Sequence, residues 1–77
     1  MYCFYMEFEQ FKKHVGLKIK YYRSLNDLTQ VMLANKIGCD DNYLSLIENG
    51  HKNISLRKIY EISNALNISA SKIFDIE

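Results

Sequence analysis

The sequence predicts an all-α chain, a compact five-helix bundle preceded by a short N-terminal arm. Two observations carry this. The 77 residues hold three glycines and no proline, a composition that favours helices joined by short turns over a sheet with many hairpins. Apolar residues also recur at three- and four-residue intervals in successive segments, each closed by Asn, Asp or Gly, the pattern of helices that bury one face. With 48% apolar and 25% charged residues, the chain is globular rather than disordered. At this length it makes one domain, burying only about 60% of its unfolded surface.

Residues 1–10 carry Tyr2, Phe4, Tyr5 and Phe8 without a clear period and are expected to form the arm, leaving residues 11–77 as the folded domain. From Phe11, the spacing Phe11, Val15, Ile19, Tyr22 marks one face of a first helix. It should end near Leu25, because Asn26 and Asp27 tolerate the left-handed conformation that closes a helix. Thr29 is a good N-cap for a second helix to about Lys36, with Leu33, Ala34 and Ile37 inward and Gly38 as its stop. Asp40 then caps a short third helix over residues 41–49, whose Leu44 and Ile47 face inward, and Asn49-Gly50 stops it. Ser55 opens a fourth helix through Leu66, with Leu56, Ile59, Ile62, Ala65 and Leu66 expected in the core. Asn67 closes it, and Ser69 opens a last turn or two containing Ile73 and Phe74.

The net charge of +1 points to no partner by itself, but its distribution is uneven. Lys12, Lys13, Lys18, Lys20 and Arg23 crowd one stretch without an acid, and Lys52, Arg57 and Lys58 follow Gly50. Joined by the fold, these two groups would make a phosphate-binding face; kept apart, they are two solvated helix faces. Cys3 and Cys39, with His14 and His51, lack the spacing of a metal site, so neither a metal nor another cofactor is expected. Two cysteines without a disulfide framework suit reduced thiols in the cytoplasm. The opening MYCFYM is too short for the apolar core of a signal peptide or for a membrane span. Nothing arranges a catalytic set: there is no glycine-rich phosphate loop, no paired carboxylates on one face, and no nucleophile beside a histidine. An enzyme is not expected.

The informative unit runs from Gln30 to Asn49, two short helices around a tight turn. Small Ala34 stands where the helices cross, Gly38 four residues later where the chain needs positive φ, and Cys39 follows as a small apolar plug. Leu33, Ile37, Leu44 and Ile47 form the shared inner face. Their joint spacing is that of a helix-turn-helix.

On these residues the chain resembles the Cro and phage-repressor type of helix-turn-helix transcriptional regulators, the XRE-like family. The resemblance covers residues 15–74 and rests on VGLKIKYYR, LTQVMLANKIG, NYLSLIENG and NISLRKIYEISNALNIS, with a terminal KIF. It implies a lambda-repressor-like fold that binds double-stranded operator DNA, as a homodimer, with the third helix in the major groove. Restriction-modification controller proteins and phage or mobile-element repressors share this compact build. The resemblance also implies a structural ion pair between Arg23 and Glu48, clamping the first helix to the third.

Base readout is then expected from the outward side of the third helix: Asp41, Asn42, Ser45 and Leu46. Asn42 suits an adenine edge, Leu46 a thymine methyl, and Asp41, which only accepts, a cytosine amino group. Backbone contacts are expected from Gln30 at the start of the second helix, and from Tyr43, Asn49, His51, Lys52 and Asn53. Gln30 and His51 also read as plain solvent-facing residues. The chain departs from the family at Asp40, Asp41 and Leu46, where relatives carry hydroxyl, basic or amide residues, and two carboxylates there would repel phosphate. Leu17, Tyr21, Val31, Met32 and Leu46 put apolar side chains where relatives are charged. These departures leave a second reading open: an antitoxin-like or adaptor module that uses the scaffold to bind protein.

Overall fold

Five N-cap residues open five helices in the computed structural model, which describes residues 6–75. In chain order these are α1 (Phe8–Leu25), α2 (Gln30–Ile37), α3 (Asp41–Glu48), α4 (Leu56–Leu66) and α5 (Ala70–Ile73), and no strand occurs among the described residues. Thr29 Oγ1 accepts from the Met32 N–H at 3.1 Å, Ser55 Oγ from Lys58 at 3.1 Å, and Ser69 Oγ from Ser71 at 3.2 Å. Each bond satisfies an amide that the first turn of a helix leaves without a partner. Asp40 occupies the cap position of α3, yet its side chain makes no capping bond. Its contribution there is negative charge at the positive end of the helix.

α1 starts at Phe8, three residues before the spacing places it. Its cap is Glu7, whose N–H donates to Gln10 Oε1 at 3.3 Å. Phe8, Glu9 and Gln10 are exposed, although Phe8, three residues before Phe11, continues the apolar spacing by one turn. The rest of the expected arm, residues 1–5, lies outside the described residues.

An apolar residue stands just before the cap of each later helix, and another stands five positions on. The pairs are Leu28 and Leu33, Cys39 and Leu44, Ile54 and Ile59, Ile68 and Ile73. The second member of each pair is buried in the core, and the first packs against that core from its edge. Such a staple fixes the angle at which the chain enters a helix.

The core joins all five helices: Val15 and Ile19 of α1, Leu33 and Ala34 of α2, Leu44 and Ile47 of α3, Ile59, Ile62 and Leu66 of α4, and Ile73 of α5. Leu56 is not part of it. Expected inside, Leu56 is 81% exposed at the first position of α4, and Ile54, ahead of the cap, fills the inward place instead. The chain leaves α2 through Gly38 at φ 72° and leaves α4 through Asn67 at φ 59°, both in the left-handed region used to end helices.

α1 crosses α3 at Gly16. A Cβ at that position would overlap the backbone carbonyl oxygens of Ile47 and Glu48, so glycine is what lets the two helices approach so closely.

Candidate nucleic-acid interface

The α2–turn–α3 unit is built with one face in the core and the other in solvent. Leu44, Ile47 and Glu48 of α3 are buried, Tyr43 and Ser45 half-buried, and Asp41, Asn42, Leu46 and the following Asn49 exposed. Of the four residues expected to read bases, three therefore stand open to solvent and Ser45 is partly covered. His51, Lys52 and Asn53 are exposed on the segment between α3 and α4. Tyr43 packs its ring against the core, and Lys52 Nζ lies 5.9 Å from the centre of that ring, within range of a cation–π attraction.

A buried polar cluster fixes how this unit sits on α1. Arg23 Nε donates to Glu48 Oε2 at 2.7 Å and its Nη2 donates to Glu48 Oε1 at 3.0 Å. The third guanidinium nitrogen, Nη1, donates to the Leu28 carbonyl at 2.7 Å. Gln30 Nε2 adds a bond to Glu48 Oε1 at 2.9 Å. One carboxylate thus receives donors from α1 and α2, and the arginine also holds the turn between them. The planar fork of arginine matches a carboxylate in two parallel bonds, which a lysine cannot do.

The bond to Glu48 changes what Gln30 has to offer. One hydrogen of its amide is committed, leaving the other, together with the backbone N–H groups of Gln30 and Val31. Those two have no acceptor among the described residues. Two free N–H groups at a helix start make a favourable place for an anion.

The two basic groups of the sequence meet in part. Lys13 of α1 lies against Gly50, and Lys12 and Lys52 line the same groove between α1 and the start of α4. Several of the cations are already engaged. Lys12 pairs with Glu9 at 3.2 Å, and Arg57 and Lys58 both pair with Glu61, at 3.3 and 2.9 Å. The hydrogen bond to Glu61 holds the Lys58 amine above its usual range, and the same bond holds the Glu61 carboxyl below its own. With Arg23 bound to Glu48, the cations of these groups without an ion pair among the described residues are Lys13, Lys18, Lys20 and Lys52. Asp40 and Asp41 also lack ion-pair partners among the described residues. Burial raises the Cys39 thiol above its usual range, consistent with its place as an apolar plug under α3.

Large apolar side chains of α1, α2 and α3 are exposed: Leu17, Tyr21, Val31 and Met32 at 46–58%, and Leu46 at 40%. Three features were not read from the sequence: Gly16, Gln30 as a second partner of Glu48, and the neutralising Glu61. Gly16 left one trace, a glycine inside an unbroken helical period.

Comparison with known proteins agrees with this geometry. The helix-turn-helix family HTH_3 matches residues 19–73. Control protein C.MunI of a Mycoplasma species is 43% identical over 68 residues, spanning 86% of this chain and 92% of its own. The restriction-modification controller protein C.AhdI of Aeromonas hydrophila superimposes with a TM-score of 0.78 at 31% identity, over 80% of this chain and 94% of that one. The biofilm master regulator SinR, in a structure solved in complex with DNA, superimposes with a TM-score of 0.73 at 34% identity, over 79% and 98%. The chain belongs to the HTH_3 family of helix-turn-helix proteins.

Proposed function

We propose that this protein is a sequence-specific DNA-binding transcriptional regulator, acting without catalysis in the cytoplasm as a homodimer on a two-fold symmetric operator. The observation that carries this reading is the outward face of α3. Asp41, Asn42 and Leu46 are exposed on a helix whose other face is core and whose end is fixed by Arg23 and Gln30 through Glu48. A rigidly seated short helix with polar and apolar groups outward suits insertion into a major groove. Asp41, Asn42, Ser45 and Leu46 would meet base edges. Gln30, Tyr43, Asn49, His51, Lys52 and Asn53 would meet the sugar-phosphate backbone, the free first-turn amides of α2 adding to Gln30. Two copies would place their α3 helices about one turn of DNA apart, roughly 34 Å. The names of the matched relatives, controller proteins and a regulator solved with DNA, support the same reading.

Selection of bound sites from random duplex DNA, repeated at two salt concentrations, tests it. An enriched palindrome is expected, with retention falling as salt rises because released counterions drive phosphate binding. No retention at low salt would sink the proposal. In that case the exposed Leu17, Tyr21, Val31 and Met32, with Asp40 and Asp41, which lack ion pairs among the described residues, favour an adaptor that binds protein through this scaffold.

A further inference from the structure

We propose that α3 reads its operator without touching guanine, selecting A·T pairs through Asn42 and a thymine methyl through Leu46, while the Asp41 carboxylate turns guanine away. This rests on the DNA-binding reading above and names the class of sequence that the site takes.

The eight residues of α3, DNYLSLIE, include no lysine and no arginine. Guanine shows the major groove two acceptors, N7 and O6, and is read most often by a cation or guanidinium that donates to both. α3 has no charged donor to do this, and its neutral donors are few: the Asn42 amide, with the hydroxyls of Tyr43, packed against the core, and of half-buried Ser45. The helix carries two negative charges of its own, and they differ in fate. Glu48 is buried and bound by Arg23 and Gln30, so its charge is neutralised within the fold. Asp41 is exposed and has no hydrogen bond or ion pair among the described residues. An ionised carboxylate can only accept, so against guanine N7 and O6 it meets like with like. Against the amino group of cytosine or adenine it meets a donor. Repulsion of this kind selects against a wrong partner as effectively as attraction selects the right one.

What α3 does present is a stripe. Asn42, Ser45, Leu46 and Asn49 follow at three, four and seven residues from the first, one side of a helix. The Asn42 amide both donates and accepts, the pattern that pairs with adenine N6 and N7. Leu46, 40% exposed, has no polar atom to offer, and the apolar feature on a base edge is the C5 methyl of thymine. The two residues are about 6 Å apart along the helix, close to two base-pair steps of roughly 3.4 Å, so they face pairs within two steps of each other. The nearby cation Lys52 lies beyond the end of α3, beside the Tyr43 ring, where it serves phosphates instead.

The test uses the enriched duplex from site selection with the full chain, and compares thymine with uracil, which lacks the methyl, and guanine with 7-deazaguanine, which lacks N7. Uracil at the position facing Leu46 should weaken binding about fourfold, the value of one buried carbon, and 7-deazaguanine within the half-site should leave binding unchanged. Leu46→Ala, a change at an exposed position, should bind thymine and uracil duplexes alike. Asp41→Asn should admit guanine at the pair that excluded it. Equal binding of thymine and uracil duplexes by the unaltered protein, or loss of affinity with 7-deazaguanine, overturns the inference while leaving DNA binding intact. If no duplex is retained at all, the DNA-binding reading fails first and takes this one with it.

Discussion

The Glu48 side chain is 1% exposed and its partner Arg23 is 12% exposed, so neither charge has water to fall back on. Removing one member of a buried pair leaves the other unpaired and costs about 3–5 kcal/mol. A domain of this length has roughly 4–12 kcal/mol in all. Arg23→Ala is therefore expected to lose a quarter or more of the stability, and to unfold the chain outright near the lower end of that range, as read from urea unfolding midpoints. Arg23→Lys keeps the charge but loses the fork, and should fall between the two. The pair itself was legible through family resemblance. Its extension was not, because a glutamine at the start of a helix reads equally well as a solvent residue. Only the packed structure shows that Gln30 reaches Glu48. Gly16 was hidden for a different reason: with no side chain it adds nothing to a periodicity, although its contact with the end of α3 sets how near the two helices lie.

Among elements, the starts of α2, α4 and α5 could be read because a hydroxyl residue stands at each cap and accepts the expected amide. Ser55→Ala should thus cost about 1 kcal/mol, a fall in Tm of about 4–8 °C for a domain of this size. An equal Tm for the two proteins in a thermal scan would show that the cap bond contributes nothing. The start of α1 could not be read in this way, since glutamate is an uncommon cap and the first turn is exposed throughout. Leu56 was misplaced because helical spacing assigns it to the inward stripe, whereas the first position of a helix overhangs the core and Ile54 already covers that place. Periodicity describes a helix in its interior; at the ends, the approaching chain decides what is buried.

For the whole molecule, composition conceals as much as it shows. The two basic groups suggested a broad cationic face, yet Lys12, Arg23, Arg57 and Lys58 each spend their charge on a glutamate. The all-helical architecture and the α2–turn–α3 unit were legible because both depend on local spacing. The free charge was legible in part: Lys12–Glu9, Arg57–Glu61 and Lys58–Glu61 join residues three or four apart on one helix, whereas Arg23–Glu48 depends on which helices meet. The same preference for near neighbours governs how quickly the structure can form. Four of the five helices start with an apolar pair only five residues apart, so much of the core can begin to assemble before distant segments have to meet. Helical domains rich in local contacts refold in about microseconds to milliseconds, and a sequence without proline has no slow prolyl isomerisation, which takes about 10–100 s. Stopped-flow or temperature-jump refolding should accordingly show one fast exponential that recovers the full amplitude, and a phase lasting tens of seconds would contradict it. For a regulator made afresh, such folding would leave translation and the pairing of two copies, rather than the folding of each, as the steps that set when the protein becomes active.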